Sequence, residues 1–179
     1  MTAHGVSMSD KPLKLKAKDA EDLQVVSAVL QDSIAPVCDM AFRPGEKDFV
    51  MVVQRFCCED AEPGACPERV RCAVHVTGVA SAQIQGLDLD RREDMLELLA
   101  VMPEDAAVAV ATAQAGAEQS PHKSLQFVFA GGGKIRLALG DWSLIIEDFG
   151  ERWPVAHQPC HEEGTAVGIR HSGKTRNPM

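Results

Sequence analysis

The chain has 179 residues, 45% of them apolar and 25% charged, which is enough for one globular domain and too apolar for a disordered chain. Six Phe, two Trp and no Tyr leave little for a base-stacking platform, and a formal charge of -8 opposes non-specific attraction to nucleic acid or an anionic membrane. Lys11, Lys14, Lys16 and Lys18 against Asp10 make residues 1–18 net +3, and residues 155–179 are net +1, so the total of -8 leaves -12 on residues 19–154. A nucleic-acid binder shows the reverse, a basic face on the folded body.

Residues 1–12 are polar and are expected to be disordered. Leu13 and Leu15 alternate with Lys14 and Lys16, which predicts a short first strand with one buried face. Asp19 is placed to cap a helix, with Glu21 and Asp22 in its first turn. Leu23, Val26 and Leu30 then recur at helical spacing, so an amphipathic helix is expected over about 20–33. Beyond it the period changes to two. Val37 to Phe42 reads as a strand, 43–48 as a turn, and Phe49 to Phe56 as the returning strand. A Pro-, Gly- and acid-rich loop follows over 59–68. Arg69 to Ile84 is a long β-branched run with Val70, Cys72, Val74 and Val76 on one face and Arg71, Ala73, His75 and Thr77 on the other, bending near Gly78.

Residues 90–102 fit two readings. A helix would bury Met95, Leu98, Leu99 and Met102 as a stripe, and a strand over 96–102 satisfies the periodicity equally. Residues 103–122 are Ala-rich and read as a mobile insertion. Leu125, Phe127 and Phe129 alternate into a turn at Gly131-Gly132-Gly133, and Ile135, Leu137 and Leu139 alternate out of it. Trp142, Leu144 and Ile146 lead into a last strand closed by Gly150. The tail from Val155 to Met179 has little apolar periodicity and is expected to be disordered. The sum is a single α+β domain over 13–154: one N-terminal amphipathic helix packed on a curled, mostly antiparallel sheet of about seven or eight strands.

Several stretches occur in a recognisable order: LKLKAKDAEDLQVVSAVLQDSI, AFRPGEKDFVMVVQRF, RVRCAVHVTGVASAQIQGLD, LELLAV, FVFAGGGKIRL and EDFGERWP. Over about 14–154 the chain resembles the bacterial domain-of-unknown-function family 2948. The resemblance implies no activity, cofactor or catalytic residue. It implies only that members are often encoded near histidinol dehydrogenase, which gives no residue a role, and that the segment around 96–101 is extended. Where the family shows an acidic residue, Trp and Glu after the Gln-Arg-Phe stretch, this chain has Cys57 and Cys58 before Glu59, so the cysteines are not the family's signature.

No segment carries a signal-peptide core or a run of the ~20 apolar residues a membrane span needs, so the expected compartment is the cytoplasm and the six cysteines are expected to be free thiols. Cys57, Cys58, Cys66 and Cys72 lack the C-x(2–4)-C knuckle of a zinc site, and adjacent cysteines on a strand point to opposite faces. His157, Cys160 and His161 have suitable ligand types but no scaffold. The glycines at 131–133 precede a strand, whereas a phosphate loop precedes a helix N-terminus. Neither a G-x-S-x-G elbow nor an H-E-x-x-H pair is present.

Arg55 stands out inside an apolar strand. Turned inward it needs a carboxylate such as Glu147 or Asp148, and an ion pair is the first expectation, with a ligand anchor the second. His75 is the one histidine inside a well-defined element, expected on a polar face. The expectation is therefore an uncharacterised cytoplasmic protein, more an accessory or protein-interaction domain than an enzyme, with no catalytic residue, metal or cofactor. Its partner is unidentified, a protein partner being the candidate, with neither nucleic acid nor membrane among them. The alternative is a small-ligand binder or unrecognised enzyme with a pocket near Arg55 and His75.

Overall fold

The computed structural model describes residues 12–57, 67–104 and 123–155. Cys58, Cys66, Cys160, His157 and His161, the stretch 105–122 and both terminal segments lie outside the described residues, and so do the expectations attached to them.

The first strand, β1 (Lys14–Ala17), buries Ala17 and half-buries Leu15. Asp19 then accepts the Asp22 backbone N–H at 2.9 Å and caps helix α1 (Ala20–Leu30), whose Leu23, Val26 and Leu30 are buried. The helix ends three residues before the expected position. Asp32 takes a left-handed φ of 60° and donates its N–H to the Leu98 carbonyl at 2.8 Å, turning the chain directly into β2 (Ser33–Pro36). The single strand expected over 37–42 is thus two. A 3-10 turn at Val37–Asp39 separates β2 from β3 (Met40–Arg43); both pair with the strand Asp48–Phe56, and only β2 also pairs with the strand Met95–Glu104. β4 (Asp48–Phe56) and β5 (Glu68–Gln85) follow, then β6 (Met95–Glu104), β7 (Lys123–Phe129) and β8 (Lys134–Pro154).

β6 resolves the ambiguous segment as a strand, and its ladder explains the ambiguity. Opposite β7, Leu98 pairs with Phe129 and Ala100 with Val128, so Leu99 is an extra, bulged residue. The bulge puts Leu98 and Val101 on the core side three residues apart, a spacing that imitates a helix. Of the stripe a helix would have buried, only Leu98 is inside; Met95, Leu99 and Met102 are exposed. The ladder runs on through Pro103 and Glu104, opposite Leu125 and Ser124.

The architecture corrects the expected open, curled sheet with a helix on one face. Six strands close into an antiparallel barrel in the order β8-β5-β4-β2-β6-β7 and back to β8, with β1 added beside β8 and β3 beside β4. Inward/outward alternation is identical in open and closed sheets, so it could not reveal closure. Closure rests on the four-residue ladder of Ser33–Pro36 against Met95–Leu98, between segments some sixty positions apart, and on β8 running unbroken past Gly140 to Pro154. Its Lys134–Leu139 end pairs with β7, and β5 pairs with it from Lys134 to Pro154 on either side of a bend.

The β5–β8 ribbon bends where Gly78 takes φ +75°. A Cβ there would lie 2.1 Å from the Asp141 carbonyl oxygen, so the close approach requires glycine.

Side chains from every barrel strand fill the interior, among them Met51, Val74, Leu98, Phe127, Leu137 and Ile146, together with the three buried residues of α1. The helix covers the edge of β6 that β2 leaves open beyond Leu98: the Val101 N–H donates to the Ser27 hydroxyl at 2.9 Å. No helix among the described residues is long and apolar enough to cross a membrane.

Candidate functional site

Two polar centres stand out, one inside the barrel and one on its wall. The inner centre follows from alternation. Phe49, Met51 and Val53 face the core along β4, and Arg55 is next in that row; Leu144 and Ile146 face it along β8, and Asp148 is next there. β5 lies between them, with Val70 opposite Arg55 and Cys72 opposite Asp148. The guanidinium reaches across β5 in a bidentate pair: Nε to Oδ1 at 2.8 Å and Nη2 to Oδ2 at 2.5 Å. Arg55 Nη1 also donates to the Phe56 carbonyl at 2.8 Å, and Asp148 Oδ2 accepts the Leu13 N–H at 3.3 Å. Both side chains are almost wholly buried, so this is the inward arginine paired with one of the two carboxylates named from sequence. The same environment silences Cys72. Burial first, then the negative charge of Asp148, pushes its thiol up to about 12, far from a nucleophilic thiolate.

The outer centre is a polar row across four strands. Arg43 on β3 pairs in register with Asp48 on β4, Asp48 with Thr77 on β5, and Thr77 with Ser143 on β8. Arg43 Nε donates to Asp48 Oδ1 at 2.9 Å, Nη2 bonds Oδ2, and Nη1 reaches Glu46 at 2.8 Å. His75 Nε2 lies 2.8 Å from Asp48 Oδ2 while its side chain stays 40% exposed. The Arg43 hydrogen bond, aided by His75, holds the buried Asp48 carboxyl below its ordinary value despite the opposing cost of burial.

An imidazole oriented by a carboxylate beside two hydroxyls has the parts of an acyl-transfer site. The connection is missing: Thr77 Oγ1 bonds the Ser143 hydroxyl at 3.1 Å and its carbonyl at 3.3 Å, and among the described residues no hydrogen bond joins His75 to either hydroxyl. Also among the described residues, no three His, Cys, Asp or Glu side chains gather to hold a metal ion.

Arg55 and His75 do not share a site. His75 stands opposite Val50, five positions along β4 from Arg55, which is about 17 Å of strand. An odd offset also puts them on opposite faces of the sheet.

Sequence reasoning missed Arg43 and Asp48, which it assigned to a turn. Their signal was available: an acid two positions before Val50 shares that residue's outward face and lies opposite an arginine across a four-residue turn.

Residues 13–161, spanning every strand and the helix, match the family described as "Protein of unknown function (DUF2948)". The chain belongs to the DUF2948 family. No curated protein and no solved structure matches it. DUF2948 membership brings no catalytic residue, cofactor or partner with it, so the roles of the two polar centres rest on their geometry.

Proposed function

We propose that this DUF2948 chain is a non-catalytic module, working in the cytoplasm, that contacts another protein through the outer face of its barrel. One observation carries the reading: the interior is filled by side chains from all six barrel strands and the helix, which leaves recognition to the outside. There β6 holds Met95, Leu99 and Met102 exposed at 61, 42 and 45%. Methionine-rich apolar surface of this kind adapts to partner contours. Exposed Glu97 sits between Met95 and Leu99 in that row and exposed Glu93 precedes it, on a body of charge -12, so the fitting partner is a protein that sets Lys or Arg among its apolar contacts.

A second reading, a small-ligand site, is favoured by the half-exposed His75 that Asp48 orients; Arg55 is committed to Asp148 and does not join it.

Native mass spectrometry of protein purified from its own host separates the two. A protein-sized mass excess on the wild type, lost from a Met95→Glu, Leu99→Glu, Met102→Glu variant, is the expected result. A small-molecule excess that survives those substitutions and disappears with His75→Ala would replace the first reading with the second.

A further inference from the structure

In the β5–β8 ribbon, each strand overhangs the rest of the sheet at one end. β8 overhangs beyond β7, and β1 covers it, with Lys14 to Ala17 opposite Glu147 to Leu144. β5 overhangs beyond β4: its ladder with β4 stops at Thr77, while Val79 to Gln85 continue along β8 alone. Among the described residues no strand pairs with the other side of this segment.

Exposed strand edges invite pairing, and proteins blunt them with charge, proline or shortness. The other edges of this fold are blunted. β1 carries Lys14 and Lys16, β3 has four residues and ends on Arg43, and the end of β8 carries Glu151, Arg152 and Pro154. The distal edge of β5 reads Ala80-Ser81-Ala82-Gln83-Ile84-Gln85, with no charge and no proline. Ile84 adds an independent sign. It pairs with the buried Ile135 and so lies on the core-facing side of the sheet, yet it is 43% exposed, and among the described residues no strand flanks it on the side away from β8.

We propose that the distal edge of β5 is a self-association site, at which a second copy of this chain adds its own β5 antiparallel about a two-fold axis at Gln83. That register sets Ala82 of each copy against Ile84 of the other, covering the exposed isoleucine. On the outer face Gln83 meets its own copy, and Ser81 meets Gln85. A copy of charge -8 repels its twin, so it can approach closely only along an uncharged strip, and this is one. Arg136, the β8 neighbour of Gln83, is already neutralised by Glu104 at 2.6 Å. Six strand residues bury less than the ~1,600 Å² of a standard interface, so the dimer is weak and concentration-dependent. The site is separate from the β6 row and does not depend on the function proposed above.

Sedimentation velocity of the full chain over a micromolar concentration series tests it. The wild type is expected to shift from monomer to dimer. Gln83→Lys alone and Gln83→Glu alone place like charges on the axis and are expected to weaken the dimer at least about tenfold. An equimolar mixture of the two is expected to recover it. Gln83 is exposed, so both variants fold, as circular dichroism will check. A wild type that stays monomeric throughout overturns the proposal and leaves the edge to a different protein's strand. A dimer unchanged by either variant overturns it as well and moves the contact to another surface.

Discussion

Arg55 and Asp148 form a bidentate ion pair in the wall of the barrel core, joining β4 to β8 across the intervening β5, with side-chain exposures of 1 and 3%. A buried pair of this kind gives little net stability over an apolar replacement, but losing one partner strands a charge where water cannot reach it.

Arg55→Ala or Asp148→Ala is therefore expected to cost about 3–5 kcal/mol in urea denaturation. The double variant Arg55→Met, Asp148→Leu is expected to return most of that, the residue being the partners lost by the Leu13 N–H and the Phe56 carbonyl. A double variant as unstable as the singles would mean that the pair itself, not the stranded charge, holds the strands together.

Acid should weaken the fold through Asp48. Its carboxyl binds a proton less readily in the folded chain than at the ordinary value of 3.8, chiefly because of the Arg43 hydrogen bond. The unfolded chain thus takes up the proton first as pH falls. The stability this group contributes is complete above the ordinary carboxylate range and is lost as the pH falls through its lowered folded value. Denaturant titrations from about pH 6 to 2 are expected to show a shallower acid limb for Asp48→Asn than for the wild type. Equal slopes would show that Arg43 and His75 do not stabilise the charged form.

Thiol labelling should rank the described cysteines by environment. Cys38 is exposed, Cys57 and Cys72 are buried, and the Cys72 thiol is pushed up to about 12. At about pH 8, iodoacetamide with peptide mapping is expected to modify Cys38 first and Cys72 only as fast as the chain unfolds. Labelling of Cys72 at the rate of Cys38 would show that the end of the barrel near Asp148 opens to solvent.

Local order was readable from residues alone, because it depends on neighbours in sequence. Asp19 caps the helix it was expected to cap, Val70 to Val76 alternate as one inward row, and the glycines at 131–133 turn one strand into the next. The inward Arg55 and its need for a carboxylate were equally legible, since an arginine in a row of Phe49, Met51 and Val53 has no other way to be buried. Long-range pairing decided the rest. Ser33–Pro36 against Met95–Leu98 closes the barrel, strand alternation leaves Met95 and Leu99 outward, and the bulge at Leu99 turns Met102 outward as well, out of the stripe a helix would have buried. The register of β3, β4, β5 and β8 assembles Arg43, Asp48, Thr77 and Ser143 into one row while it keeps His75 away from Arg55. Alternation fixes which way each side chain points relative to its own strand, but only the partner strand, chosen by packing across the whole chain, decides what that side chain meets.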